Sequence, residues 1–563
     1  MSIPDEWRAR SPRMTEAGYQ GIEALLQHVD APRWNHTIGD RVGDAEAAAL
    51  DTFREQCAEA PLEAGERPSE ALLERVRAQV DQTFDLAQRW PEGLDPRRDW
   101  DAVPTCSREG LASRLVDFVP RELPLHDAVL YTTSGTSGHA LSVLHHPGAV
   151  AKNHAFGERA LAEHAIATAF EPGKPGTVNL CAQRETFVFA TCFTVWNQSG
   201  FAKLNLPDHA WAGGAASRER FLTEFAPQLV TADPLTLASM LELDVPVRPR
   251  AIFSSALMLD PAHAAAAAAH FDCPVIDFYG ATEVGPIAAK LPGAPGHVLL
   301  LPDLFVEVLD EDGLPLPDGE VGELTFTGGR NPYLPLVRYR SSDRGALGTC
   351  TLADGRKARV ILGLEGREAV HFRARNGSLV NSVDVGRALR DVGPFVQHEV
   401  HQRADHSVDV RLRPAPSIPA SVEGMRLAME RVFGPGIEVR VDLVHDFGHD
   451  GKPRTFSSEL SQRFLKRYSS PHGEPHSVSA RREAREAGVA DAHRHCALRG
   501  AQQGPAHRDD PARGQSALQR RRRHALPALR GHAALRDPAL RLAGHCARGQ
   551  HRQARHAAAA AAS

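Results

Sequence analysis

The chain has 563 residues, with 65 Lys and Arg against 70 Asp and Glu, a formal charge of −5, and 42% hydrophobic residues. This is the balance of an ordinary globular protein, with length for two to four domains at about 100–200 residues each. No apolar run reaches the roughly 18 residues of a membrane-crossing helix, no apolar stretch follows MSIPDEWRARSPRM as in a signal peptide, and none of the eight cysteines forms a CxxC pair; a membrane-embedded chain, an exported one and a zinc ribbon are all disfavoured, and the cytoplasm is the expected location.

The predicted elements begin with helices. Met14–Val29 and Ser69–Trp90 space Leu, Val and Phe at helical intervals, and Pro68-Ser69 supplies a start signal. From about Asp127 short apolar strands alternate with helical segments: Val129-Leu130-Tyr131, Ala251-Ile252-Phe253 and Val275-Ile276-Asp277-Phe278 read as strands. Between the last two, Asp260 can cap a helix, Pro261 suits its first position, and an alanine-rich run continues to His270. Strand, helix, strand on this scale predicts a layered α/β domain. After Asp303 the pattern turns strand-rich (Leu304–Asp310, Gly322–Thr327, Leu336–Arg340), and a smaller α+β unit runs from about Gly366 to Tyr468.

From Ser469 the composition changes. The segment has no Phe, Tyr, Trp, Ile, Lys, Met or Asn, and holds 17 Arg against 7 acids, a net +10 that leaves −15 on the rest. Such a stretch has little apolar surface to bury and is predicted to be disordered. The run Arg520–Arg523 admits a nucleic-acid contact. The favoured reading is a stretch with no function of its own, because charge carried by Arg alone among Ala, Gly and Pro is what GC-rich coding sequence gives when read out of frame; nucleic acid is not an expected partner.

Five segments carry chemistry. In Tyr131-Thr132-Thr133-Ser134-Gly135-Thr136-Ser137-Gly138-His139, glycines let amide N–H groups turn inward and hydroxyls donate to phosphate oxygens; the same loop reads equally as a flexible hairpin. In Asp277-Phe278-Tyr279-Gly280-Ala281-Thr282-Glu283, a strand delivers an aromatic, a glycine turn, a hydroxyl and a carboxylate, and a carboxylate beside a phosphate site makes sense through Mg²⁺; the alternative is a turn with a solvated Glu. In Pro335-Leu336-Val337-Arg338-Tyr339-Arg340-Ser341-Ser342-Asp343, an Asp ending a strand can accept from both ribose hydroxyls or simply start a turn. Gly366-Arg367 opens the smaller unit, and Gly451-Lys452-Pro453-Arg454 near its end offers a Lys to a phosphoryl group, or only an exposed Lys.

Taken in this order, the five segments resemble the adenylate-forming (AMP-binding) superfamily, and within it the phenylacetate-CoA ligase-like branch. That branch has a Ser-Gly-Thr-Thr-Gly phosphate loop, a Tyr-Gly-x-Thr/Ser-Glu segment, a Pro-Leu-Ile-Arg-Tyr-Arg-Thr-x-Asp segment, a hinge Gly-Arg and a late lysine loop. The resemblance covers roughly residues 100–468 and is most specific at Tyr279–Glu283 and Pro335–Asp343. It implies a large N-terminal layered α/β domain, helical over residues 1–100 and binding ATP and the acid over residues 101–365. A smaller mobile α+β domain over 366–468 and the tail 469–563 would follow.

It also implies an activity: ATP-dependent activation of an organic, by branch an aromatic, carboxylic acid to an acyl-adenylate, then transfer to CoA. By matching positions, Thr133, Ser134, Gly135, Thr136 and Gly138 would grip the β- and γ-phosphates, Thr282 would touch the α-phosphate, and Glu283 would hold Mg²⁺. Asp343 would bind the ribose and Arg367 would lie near ribose and phosphate. Tyr279 would flank the adenine, Phe278, Gly280 and Ala281 would line the pocket, and Lys452 would meet charge building at the α-phosphate.

Three departures bear on these expectations. His139 stands where the phosphate loop of the family continues with Lys. The hinge reads Gly366-Arg367-Glu368-Ala369-Val370 without the usual Asp, and Arg373-Ala374-Arg375 departs from the usual loop near the thiol acceptor. Adenylation is therefore the firmer expectation. An amine or carrier-protein thiol as acceptor, and a silent nucleotide-binding protein, stand as alternatives. Of the remaining candidates, His145-His146 reads as polar decoration at a strand end rather than a metal pair. Arg373, Arg375, Arg387 and Arg390 read as solvated rather than CoA-binding, and Cys181 and Cys192 as packed small hydrophobes.

Overall fold

The computed structural model describes residues 2–83, 93–125, 127–132, 141–300, 303–365, 370–393, 395–414, 421–444 and 455–460. Local chemistry sets the helices where the sequence predicts them. Ser69 accepts from the Leu72 amide at 3.2 Å to start Glu70–Val80, and Asp260 accepts from the Ala262 and His263 amides at 2.8 and 3.2 Å to start Pro261–Phe271. The helix expected over Met14–Val29 spans Glu16–Leu26, capped by Thr15.

A mixed sheet of thirteen strands organises the described residues. One half is of the parallel α/β kind: Pro175–Cys181 pairs in parallel with Ser199–Asn205 and Leu229–Ala232, and the latter leads in parallel to Ala251–Ser254 and Val275–Ala281. The helices Gly214–Phe225, Pro234–Glu242 and Pro261–Phe271 fall between these strands in sequence. At Val275–Ala281 the sense reverses. Gly285–Lys290 returns antiparallel, and the sheet continues antiparallel through His297–Leu299, Lys357–Glu365, Leu336–Thr351, Gly322–Gly328 and Leu304–Leu309. The candidate chemistry clusters at that reversal.

Leu336–Thr351 is longer than predicted, and Asp343 lies within it rather than at its end. The ladder to Gly322–Gly328 breaks there instead: Glu323 opposes Arg344 and Thr325 opposes Arg340, so the longer stretch between them bulges, with Ser342 at φ +68°. A bulge re-aims a side chain as a strand end would.

The described residues between 370 and 460 build a second, four-stranded sheet, ordered Val439–Leu443, Val408–Pro414, Phe395–Gln402, Phe456–Ser458, with its own core around Phe372, Leu389, Val410, Met425 and Phe433. The helices Ser382–Val392 and Val422–Phe433 belong to it. The tail expectation lies outside the described residues.

Candidate active site

The Tyr279–Glu283 segment ends one strand and starts a hairpin. Gly280 opposes Pro286 and Ala281 opposes Gly285, so Thr282, Glu283 and Val284 form the connection, closed by the Val284 amide donating to the Ala281 carbonyl at 3.2 Å. The glycine that turns the chain is Gly285, at φ +87°. Gly280 serves a different need: a Cβ there would lie 2.8 Å from the Gly285 carbonyl oxygen, so only glycine lets the two strands approach. Gly280 is exposed and Glu283 is 3% exposed, so the carboxylate is sunk beneath the strand end that presents it.

Buried carboxylates need partners. The Arg108 guanidinium donates Nη1–H to Glu283 Oε1 at 2.5 Å, and the Tyr339 hydroxyl donates to the same oxygen at 2.6 Å. Arg108 arrives there through a pairing distant in sequence. Cys106-Ser107 adds in parallel to Leu336–Thr351 with Cys106 opposite Tyr339, and Ser107 then caps the short helix Arg108–Ser113. Burial, and then the negative charge of Glu283, push the Tyr339 phenol well up, so it remains a donor.

Asp343 is half-buried and accepts from the Tyr279 hydroxyl at Oδ2 over 3.0 Å. Tyr279 is itself buried, its phenol pushed well up by burial and then by Asp343. The two tyrosines thus tie the two carboxylates to one patch: Tyr279 and Tyr339 belong to a single apolar cluster with Leu111, Leu141 and Val143. Burying each large apolar side chain contributes about 1.5–3 kcal/mol, which makes this patch a firm base. Phe278 is half-buried, with its ring 4.7 Å from Phe253 and 5.2 Å from Phe156, and Ala281 is half-buried three residues further along the chain.

Thr133, Ser134, Gly135, Thr136 and Gly138, with His139, lie outside the described residues, as do Arg367, Ala369 and Lys452. The strands flanking the first of these segments are described. Val129–Thr132 pairs antiparallel with Ser142–His145, Thr132 opposite Ser142. His145, expected as polar decoration at a strand end, is instead 6% exposed, with Nε2 buried and without a hydrogen-bond partner among the described residues, and with the Thr282 backbone and Glu283 near enough to act on its charge. Burial holds its imidazole neutral, with the pKa lowered to about 4. His146 caps the next helix, its Nδ1 accepting from the Gly148 amide at 3.1 Å. The strand after the predicted phosphate loop thereby sets His145 beside the Thr282-Glu283 connection.

Sequence reading also passed over Ser254. It closes the strand Ala251–Ser254 in register with Asp277, its Oγ is buried without a hydrogen-bond partner among the described residues, and Ala256 just beyond holds φ +77°. Ends of parallel strands beside a reversal of strand order are where open α/β sheets place ligands. The available signal was a Ser-Ser-Ala run directly after an apolar strand.

Among the described residues no group of three or more His, Cys, Asp or Glu could by itself hold a metal ion. Glu283 does suit one hard cation: Oε1 takes the bonds from Arg108 and Tyr339, and Oε2 takes neither. One carboxylate oxygen plus phosphate oxygens is a donor set that Mg²⁺ accepts.

Three of the four candidate arginines of the smaller unit make protein contacts while staying partly or fully exposed. Arg373 pairs with Glu242 at 2.6 Å, Arg375 donates to the Gly436 carbonyl, and Arg387 donates to the Glu185 carbonyl at 2.7 Å. Cys181 and Cys192 are buried as expected, their thiols pushed up to about 11 and about 12 by burial.

A family model described as AMP-binding enzyme matches residues 22–331. Acetyl-coenzyme A synthetase of Wolinella succinogenes is 42% identical over 72 residues, which is 12% of this chain and 11% of that protein, so the match spans about a tenth of that relative. Among solved structures, 2-hydroxyisobutyryl-CoA ligase in the postadenylation state with 2-HIB-AMP is 16% identical, with 73% of this chain and 94% of that one covered at a TM-score of 0.45. A benzoate CoA ligase from Burkholderia xenovorans LB400 is 17% identical over 75% and 99% of the two chains at 0.32. The amide bond synthetase McbA from Marinactinospora thermotolerans is 16% identical over 80% and 100% at 0.34.

Proposed function

Because the chain belongs to the AMP-binding enzyme family, we propose that it activates an organic carboxylic acid with ATP and passes the acyl group to CoA. The observation that carries this reading is the convergence of Glu283, Asp343 and Thr282 on one patch at the sheet's reversal, the two carboxylates held by Tyr279 and Tyr339, with His145 of the strand after the phosphate-loop segment buried beside Thr282 and Glu283.

In this reading a carboxylate oxygen of the acid attacks the α-phosphorus, the bond to the β-phosphate breaks, and pyrophosphate leaves with the electron pair. Thr282, in the hairpin connection, donates to the α-phosphate. Glu283 would hold the cation, and Mg²⁺ when bound would supply positive charge that offsets the phosphates. Asp343 accepts from the ribose hydroxyls, held in place by Tyr279. Thr133, Ser134, Gly135, Thr136 and Gly138 grip the outer phosphates, Arg367 lies near ribose, and Lys452, from a small domain 366–468, meets the charge that grows at the α-phosphate. Fixed donors aimed at developing charge are the largest catalytic contribution such a site offers. Phe278, Gly280 and Ala281 line the acid pocket, and an aromatic acid is favoured by the resemblance to the phenylacetate-CoA ligase-like branch.

A second acceptor, an amine or a carrier-protein thiol, draws on one observation: Arg373, Arg375 and Arg387, three of the four sequence candidates for a CoA phosphate, contact Glu242 and backbone carbonyls.

The test is acid-dependent exchange of labelled pyrophosphate into ATP across a panel of aryl and alkyl acids, followed by a search for the thioester by mass when CoA is added. Exchange with an aryl acid and a thioester product are the expected results. No exchange with any acid would remove the enzyme reading, and exchange without thioester would move the acceptor to the second class.

A further inference from the structure

Nothing in the proposed reaction requires an arginine on Glu283, yet Arg108 makes a 2.5 Å contact with that carboxylate. Its side chain is 15% exposed and that of Glu283 2%, so the pair lies out of water, where an unpaired charge is costly. The guanidinium is delivered by two separate devices, the Cys106–Tyr339 pairing and the Ser107 cap. Burial works against its charge, but Glu283 and Tyr339 outweigh burial and keep it protonated.

The consequence is electrostatic. A bare Glu283 beside Thr282 would repel every phosphate brought to the hairpin unless a divalent cation came with it. With Arg108 on Oε1 the pair is neutral, and Oε2 takes neither of the two bonds. We infer that Arg108 is the resident counter-ion of Glu283, a positioning residue that lets the site hold a nucleotide before a divalent cation arrives and after it leaves. This rests on the nucleotide-binding reading above and adds to it an order of events: nucleotide binding and cation binding are separable in this chain.

The experiment measures ATP and AMP affinity of the full chain by calorimetry, once in excess Mg²⁺ and once in EDTA. Arg108→Gln is expected to weaken ATP binding in EDTA by about tenfold while changing binding in Mg²⁺ by less than about threefold, and Arg108→Lys to stay near wild type in both. The double variant Arg108→Gln with Glu283→Gln is neutral like the wild-type pair, so it should bind ATP in EDTA within about threefold of wild type. If Arg108→Gln does not fold, Glu283→Gln alone decides: it frees the guanidinium, so ATP in EDTA should bind about tenfold tighter than wild type. Equal weakening in Mg²⁺ and EDTA would make Arg108 a phosphate ligand, and no change in either would make the pair purely structural; both overturn the inference. Wild-type chain that binds no ATP in Mg²⁺ would instead sink the nucleotide reading, and this inference with it.

Discussion

Tyr279 donates its hydroxyl to Asp343 Oδ2 over 3.0 Å, a bond that spans from the last parallel strand to the bulge of a strand four places along the sheet. Because burial and Asp343 keep that phenol protonated, the bond holds at any ordinary pH. It fixes the carboxylate that the proposed reaction uses for the ribose. Tyr279→Phe is expected to cost about 1 kcal/mol of stability and, by loosening Asp343, to raise KM for ATP about fivefold with little change in kcat. Exchange kinetics beside a urea melt check this; an unchanged KM would detach Tyr279 from nucleotide binding.

Arg338 precedes Tyr339 in the motif but does different work. It is 1% exposed, donates Nε–H and Nη2–H to Glu307 at 3.1 and 3.3 Å, and donates from Nη1 to the Asp101 and Val103 carbonyls at 2.9 Å each. It therefore staples the 101–103 segment, just before the strand that leads to Arg108, to the sheet. Arg338→Met leaves Glu307 buried without its counter-ion, with only the Trp100 indole N–H still donating to it at 3.4 Å, and is expected to lower stability by about 3–5 kcal/mol. Denaturant unfolding measures it. A loss under about 1 kcal/mol would mean that Arg338 is not a structural staple.

What the sequence disclosed follows the range of the forces involved. Asp260-Pro261 starts a helix as predicted because capping is settled within three residues. Val275–Ala281 is a strand because its apolar run is local. Glu283 and Asp343 were legible as chemistry, but the groups that hold them were not. Arg108 meets Glu283 across 175 residues only because Cys106 pairs with Tyr339. Gly280 and Gly285 could not be told apart by composition: one is needed for close approach and the other for its positive φ. His145 reads as polar decoration because its strand is short and polar-ended, whereas tertiary packing buries it beside Thr282 and Glu283.

His398 carries a pH dependence that has nothing to do with catalysis. It is 2% exposed between Phe395 and Phe456, and neither ring nitrogen finds a hydrogen-bond partner among the described residues. Burial, and then Arg390, lower its pKa to about 4. The unfolded chain takes up a proton near pH 6.5 that the folded chain refuses until about 4, so stability is full above pH 6.5 and declines as pH falls toward 4. His398→Leu should remove up to about 1.4 kcal/mol per pH unit from that slope. Urea unfolding at pH 7 and pH 5 tests it; an identical difference between the two pH values in variant and wild type would show that His398 does not contribute.

Gly280 gives the sharpest separation between site geometry and general stability. An added Cβ would meet the Gly285 carbonyl oxygen at 2.8 Å and the Pro286 Cα at 3.1 Å, both backbone atoms that cannot rotate away. The hairpin must therefore open, and Thr282 and Glu283 move with it. Gly280→Ala is expected to cost about 1–3 kcal/mol and to cut pyrophosphate exchange by at least about tenfold, even below its melting temperature. Gly355→Ala is the matched control: at φ +86° with no atom within 4 Å of the new Cβ, it strains the backbone by about 1–2 kcal/mol at a turn far from the hairpin in sequence. If both variants lose similar stability but only Gly280→Ala loses exchange, the hairpin spacing itself is what the reaction needs. If the two lose exchange in parallel, the loss follows from stability and Gly280 has no special place in the site.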